Sequence, residues 1–275
     1  MAMVLPNVFF RYGNHLLNCI VHLHHEKNKS FSNQNSFMGR AFEFRKERKM
    51  KRWAGMAKTF TRIGREIALA VKSGGENPDY NPRLRSAIQN AKAANMPKHN
   101  VENAIKKAAG KDAENFQEIT YEGYAAHGIA VLVETATDNP TRTVANVRMY
   151  FDRCGGALGT SSSVGFMFNH RGVFKVNTPG HNWDDLELEL IDSGLEEIKS
   201  EEDETVLYTA FQDFGMMQKA LEDRGIETIS AQLEWIPTTT KTLGDTEVEQ
   251  VIKLIDRLEE DDDVLYVFHT MDMSE

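Results

Sequence analysis

The sequence predicts an α+β protein of three domains: an N-terminal three-helix bundle and two α+β, ferredoxin-like domains, one inserted in the other. Three observations carry this expectation. At 275 residues the chain exceeds what one ordinary hydrophobic core accommodates. The apolar period is helical up to Gly110 and mixes strand and helix beyond it. Charge is divided as sharply: residues 38–111 hold 18 Lys/Arg against 6 Asp/Glu, whereas residues 112–275 hold 11 against 34. The net charge of −9 therefore averages a basic module and an acidic remainder. A segment so dense in cations repels itself unless an anion neutralises it, and nucleic acid is the commonest large polyanion.

Residues 1–37 have no sustained period and carry His22, His24, His25 and an Asn/Ser-rich stretch from Asn28 to Phe37. They read as a disordered extension or a misassigned start, with Met38 the true beginning. A mitochondrial transit peptide is disfavoured, since the segment has one Arg and no amphipathic Arg/Ser pattern. The histidines have no scaffold to fix a metal geometry.

The basic module spans residues 38–114. Arg40, Arg45, Lys46, Arg48, Lys49, Lys51 and Arg52 are interleaved with Phe42, Phe44 and Trp53, a composition suited to phosphates and stacked bases. A helix is expected from about Ala57 to Lys72, with Phe60, Ile63, Ile67 and Val71 in one stripe and Lys58, Arg62, Arg65 and Lys72 opposite, as a cationic surface. Gly74-Gly75 ends it. Asn81 caps the next helix ahead of Pro82, with Leu84, Ile88 and Ala91 inward and Arg83, Arg85 and Lys92 in solvent. A third helix starts near Pro97 and runs through Val101, Ala104, Ile105 and Ala108 to Gly110.

Residues 115–170 form the first part of an α+β domain: strands at Ile119, Tyr121 and Ile129–Glu134, a helix Thr143–Cys154 with Val144, Val147 and Phe151 inward, and a returning strand Val164–Phe168. Residues 171–236 read as a complete βαββαβ unit, the ferredoxin-like split motif. Its strands are Gly172–Val176, Glu196–Ile198, Val206–Tyr208 and Ile229–Trp235, and its helices Trp183–Ile191 and Phe211–Arg224. Residues 237–275 add a helix Thr246–Leu258 and a strand Val264–His269, which complete the outer domain.

Several short stretches together resemble the YebC/PmpR family: Asn81-Pro82-Arg83-Leu84-Arg85, Ala91 to Lys98, Tyr121-Glu122-Gly123-Tyr124, Thr137-Asp138-Asn139 with Arg142-Thr143-Val144, and Gly155-Gly156-Ala157-Leu158-Gly159-Thr160. The resemblance covers about residues 38 to 275. It implies the same three-domain fold and a role as a DNA-binding transcriptional regulator, with ribosome-associated translation factors among the relatives. The family's usual Gly-His-Ser-Lys-Trp start is replaced here by Arg48-Lys49-Met50-Lys51-Arg52-Trp53, which keeps the tryptophan and the basic character but not the histidine.

No catalytic set is evident. The Gly155–Thr160 loop lacks the Lys and spacing of a P-loop and reads as a tight connection, and Asp261-Asp262-Asp263 reads as an exposed turn rather than a cation site. The two cysteines, Cys19 and Cys154, argue against a disulfide framework. No apolar run approaches the roughly 18 to 20 residues of a membrane span. The sequence thus predicts a soluble, cytoplasmic, non-enzymatic regulator that needs no metal or cofactor. Phosphates are expected to bind at Arg45, Lys46, Arg48, Lys49, Lys51, Arg52, Lys58, Arg62 and Arg65. DNA and ribosomal RNA both remain open as partners. The acidic domain, with Glu187, Glu189, Glu196, Glu197, Glu201, Glu202, Asp203 and Glu204, is either a solvated face or a surface for the ribosome or the transcription machinery.

Overall fold

The computed structural model describes residues 55–110, 114–178, 182–200 and 204–272. The readings of residues 1–37 and of the cations from Arg40 to Arg52 lie outside these. Residues Ala57–Glu275 form one compact unit, and the contacts that follow lie within it.

Helix α1 (residues 55–74) leads to α2 (Pro82–Ala93) and α3 (Lys98–Ala109). Three of the four residues of the predicted stripe are buried: Ile63, Ile67 and Val71, joined by Ala70, meet Leu84, Ala87 and Ala91 of α2 and Val101 of α3, while Phe60 is half-buried. The chain leaves α1 at Gly75, whose φ of +84° suits glycine and whose N–H donates to the Val71 carbonyl at 2.8 Å. Asn81 does more than cap α2. Its Oδ1 accepts from the Leu84 N–H at 3.1 Å, while its Nδ2 donates to the carbonyls of Ala70 at 2.7 Å and Gly75 at 2.9 Å. At 3 % exposure this one amide serves both the end of α1 and the start of α2.

The first sheet has strands β1 (Gln117–Tyr124), β2 (Ala130–Thr137), β3 (Ala157–Leu158) and β8 (Val264–His269) in the order β3-β1-β2-β8, all antiparallel. Helices α4 (Pro140–Arg153) and α7 (Asp245–Glu259) cover one face, where Val131 and Val133 meet Val147, Phe151, Val251, Leu254 and Leu258. On the other face Ala130 and Leu132 meet Val164, Phe168, Trp235 and Phe268. Because β2 is covered on both faces, Ile129–Val133 is an unbroken apolar run rather than an alternating one. The inward α4 residues are Thr143, Val147 and Phe151; Val144, expected inward, is half-exposed.

Between β3 and α7 runs β4 (Phe168–Asn177), α5 (Trp183–Ile191), β5 (Leu195–Ser200), β6 (Glu204–Ala210), α6 (Phe214–Asp223) and β7 (Thr228–Pro237). The sheet order β5-β6-β4-β7 is that of the predicted βαββαβ motif. Its open edge β7 is covered by α2: the Asn90 amide donates to the Ala231 carbonyl at 3.1 Å and accepts its N–H at 3.2 Å, in the manner of a strand partner.

One strand differs from expectation. Val164–Phe168 does not return to the first sheet; Gly165–Met167 is a 3₁₀ turn, and Phe168 opens β4 of the second sheet. The reason is a partner far away in sequence: the N–H groups of Val164 and Gly165 donate to the Glu122 carboxylate, which removes them from any ladder.

Replacing Asn81 by Ala should lower the unfolding free energy by about 2 kcal/mol or more, because three hydrogen bonds disappear from a buried site. Asn81→Asp keeps the cap but sets a buried carboxylate oxygen against the Ala70 and Gly75 carbonyls, and should cost at least as much, as read from urea midpoints.

Candidate nucleic-acid interface

Of the sequence-nominated cations, Lys58, Arg62 and Arg65 are described, and all lie on α1. Two of them, Arg62 and Arg65, are engaged within the protein rather than open on a cationic face. Arg62 Nη1 donates to the Leu265 carbonyl at 2.9 Å, with its guanidinium 5.3 Å from the Tyr266 ring centroid. Arg65 donates to the Ala136 carbonyl at 2.7 Å and to Asp263 Oδ1 at 2.8 Å, and lies 5.2 Å from the Phe116 ring centroid. Lys72 donates to Asn115 Oδ1 and to the Phe116 carbonyl. Leu69, set among these cations, is buried with Phe116, Ala136 and Leu265. The side of α1 facing away from the bundle core is thus the side that docks on the first sheet, and the Arg62 and Arg65 guanidinium groups lie against aromatic rings within that interface. Arg83 and Arg85, expected in solvent, face Glu118 at 2.8 Å and Glu222 at 3.7 Å. Lys92, Lys98, Lys106 and Lys107 are the exposed lysines of α2 and α3.

Asp263 is the hub of this docking. It is 3 % exposed and accepts from Arg65, from Arg142 Nη2 at 2.8 and 3.0 Å, from Thr143 Oγ1 at 2.7 Å and from Thr137 Oγ1 at 3.2 Å. Burial opposes its ionisation, yet the bonds from Arg142, Thr143 and Arg65 outweigh burial and hold its carboxyl below the usual range. The Thr137-Asp138-Asn139-Pro140 turn builds this arrangement. Asn139 Oδ1 caps α4 by accepting the Arg142 N–H at 3.2 Å, Pro140 starts the helix, and Asp138 holds Arg142 at 2.8 Å. The triple-aspartate turn is therefore exposed only at Asp262. Asp261 accepts from Tyr150 at 3.0 Å, from Asn146 at 3.1 Å and from the Asp263 N–H at 2.9 Å. Sequence reasoning missed Asp263 because its cationic partners are 198 and 121 residues away. Among the described residues, no group of three or more His, Cys, Asp or Glu is placed to hold a metal ion.

The glycine-rich loop shows how a phosphate-like cradle is filled from within. Gly123 and Gly156 let β1 and β3 approach so closely that an added Cβ would meet the Ala157 or Tyr124 carbonyl oxygen at 2.6 Å. Past Gly159 the chain curls so that the N–H groups of Ser162, Val164 and Gly165 converge on the Glu122 carboxylate at 2.7 to 2.8 Å. Burial raises the Glu122 pKa, but these amides prevail and lower it.

Where the bundle and both sheets meet, half-buried acids pair with aromatic donors. Trp235 Nε1 donates to Glu134 at 2.6 Å, and the Tyr266 hydroxyl donates to Glu66. Burial pushes the Glu134 carboxyl up to about 7, against the Trp235 bond, and burial also raises Glu66. His170 is stacked between Phe211 and Trp235 at centroid separations of 4.5 and 4.3 Å, and burial lowers its pKa.

Comparison with known proteins fits this layout. Residues 40–111 match the TACO1/YebC protein N-terminal domain, and residues 116–271 match the TACO1/YebC second and third domain. The chain belongs to the TACO1/YebC family. Among its relatives, a protein of Flavobacterium johnsoniae is 59 % identical over 85 % of this chain and 99 % of its own length. One of Myxococcus xanthus is 52 % identical over 85 % of this chain and all of its own. Both are named probable transcriptional regulatory protein. The crystal structure of a conserved hypothetical protein from Aquifex aeolicus is similar, with a TM-score of 0.70, 39 % identity, and coverage of 80 % of this chain and 91 % of that one. The residues that carry the TACO1/YebC resemblance are here largely architectural: Asn81 joins two helices, Gly123 and Gly156 permit the strands to approach, and Thr137, Arg142 and Thr143 hold Asp263. Among the described residues, no helix is long and apolar enough to cross a membrane.

Asp263→Asn should destabilise the protein by about 3 kcal/mol, because it leaves the largely buried Arg65 guanidinium facing an uncharged amide, while the half-exposed Arg142 keeps Asp138. Glu134 has a folded pKa near 7 against 4.5 for the free group, so its contribution to stability is full below about pH 4.5 and is lost as pH rises through 7. Glu134→Gln keeps an acceptor for Trp235, and urea titrations should show a flatter dependence of stability on pH between 5 and 7.

Proposed function

We propose that this TACO1/YebC family member is a cytoplasmic, nucleic-acid-binding regulator of gene expression, with DNA at regulated promoters as its target and no reaction of its own. The observation that carries this reading is the division of charge: cations exceed anions by 12 in residues 38–111, and anions exceed cations by 23 in residues 112–275. A polyanion is attracted to one end of such a molecule and repelled from the other. The regulatory names of the relatives support the same reading.

Phosphate binding falls to Arg45, Lys46, Arg48, Lys49, Lys51 and Arg52, with Lys58, and to the exposed lysines of α2 and α3. Arg62 and Arg65 act one step back, by fixing the bundle on the first sheet. With no base-reading helix identified among the described residues, discrimination among targets rests on shape and deformability rather than base edges.

The test offers the full chain genomic DNA fragments and ribosomes together, near physiological salt, then crosslinks and sequences what is retained. Discrete promoter fragments are expected. Ribosomal RNA at a few positions would instead make the protein a translation factor, and retention of neither would overturn nucleic-acid binding. Replacing Lys49, Lys51 and Arg52 by Ala should weaken binding and reduce the slope of log affinity against log salt by about 0.9 for each duplex phosphate that is no longer neutralised.

A further inference from the structure

A groove of about 660 Å³ separates α1 and α3 from the start of α4. Its origin is legible on the two helices. Gly64 and Ala68 occupy successive turns of α1, and Ala104 and Ala108 successive turns of α3, so neither helix fills the space between them. Gly64 lies within α1, where glycine costs about 1 kcal/mol relative to alanine. A Cβ there would meet nothing within 4 Å. Sterics therefore do not require glycine at 64, and its effect is to keep this wall low.

The rim is cationic. Lys72, Lys107 and Arg142 line it, with Arg65 deeper against Asp263. Two acids share the lining: Glu114, 2.7 Å from Lys107, and Asp138, 2.8 Å from Arg142. Both pairs are solvent-exposed, at 65 and 51 % and at 46 and 54 %, and exposed pairs are worth under about 1 kcal/mol, so an incoming phosphate can displace Glu114 from Lys107 and Asp138 from Arg142, while Arg142 keeps its bonds to Asp263 and meets the phosphate from its solvent side.

We propose that this groove binds a single-stranded segment of nucleic acid, with a phosphate held by Lys72, Lys107 and Arg142 and an unpaired base laid on the floor of Gly64, Ala68, Ala104 and Ala108. The inference rests on the nucleic-acid reading above and narrows it. The volume falls in the range of about 300–1,000 Å³ of sites that enclose small ligands, enough for one or two nucleotides and too little for a double helix. Thr61 and Asn115 also line the groove, but Thr61 Oγ1 donates to the Ala57 carbonyl and Asn115 Oδ1 accepts from Lys72, and the floor of glycine and alanine accepts any base face, so the groove selects strand state more than sequence. Melted DNA and unpaired RNA share this chemistry.

The test measures fluorescence anisotropy of the full chain with single-stranded RNA and single-stranded DNA of roughly 12 nucleotides, and with the matching DNA duplex. Gly64→Leu places a side chain in the groove without altering charge and improves helix propensity. It should raise the single-strand Kd about tenfold or more while the duplex Kd holds. Gly64→Ala should raise the melting temperature, which separates helix propensity from groove filling. Lys107→Glu should weaken single-strand binding, and more so than the double exchange Lys92→Glu with Lys98→Glu outside the groove. Whichever single strand binds tighter names the source. A Gly64→Leu protein that keeps its single-strand affinity would overturn the groove, and if the Lys92/Lys98 exchange still weakens binding, the nucleic-acid reading stands without it. Wild-type protein that binds none of the three probes would overturn both.

Discussion

The placement of the helical bundle on the first sheet depends on one buried carboxylate. Asp263, immediately before β8, gathers Arg65 from α1, Arg142 and Thr143 from α4, and Thr137 from the end of β2. No other arrangement of these groups is cheap: two guanidinium ions brought together without an anion repel one another, and a buried carboxylate without donors is strongly disfavoured. Satisfied together, they hold residues far apart in sequence in one geometry. Both the docking of α1 and the groove between α1, α3 and α4 follow from that geometry.

The same economy of charge recurs elsewhere. Glu122 fills the ring of amides that its own glycine-rich loop creates, so the feature most like a phosphate cradle holds an internal anion. In the inserted domain, Glu196 and Glu197 face Arg171, and Glu204 faces Lys175, so part of the acidic excess is paired at home. The lysines of α2 and α3 are solvent-exposed, two of them in exposed pairs with Glu102 and Glu114. On such a molecule, orientation toward a polyanion is set by long-range field and local grip by a few side chains.

Much of the fold was legible in the sequence because its signals are local. The Asn81-Pro82 and Asn139-Pro140 starts, the Gly75 stop, and the alternation of strands and helices from 171 to 236 depend on neighbours within a few residues. What failed depends on distant partners. A helical wheel sorts α1 into an apolar stripe and a charged face, but it cannot tell that Leu69 among the charges belongs to a second interface, or that arginines bury well when ring faces and carbonyls await them. Val164 and Gly165 have strand-like composition, yet the Glu122 carboxylate, some forty residues earlier, claims their amides. Asp263 looked like a surface turn for the same reason. Of the nominated cations that are described, Arg62 and Arg65 proved to be ties between domains, while the groove was invisible because its floor is made of small residues with no chemistry to flag.

The most direct test of the central claim, that nucleic acid meets the basic end of this molecule and not the acidic one, is photocrosslinking of the full chain to bound nucleic acid followed by mass spectrometry of the crosslinked peptides. The account places the crosslinks in peptides from residues 38–111, with the stretch around Arg142 as their neighbour across the groove. Crosslinks concentrated in the inserted sheet, residues 168–237, would contradict it.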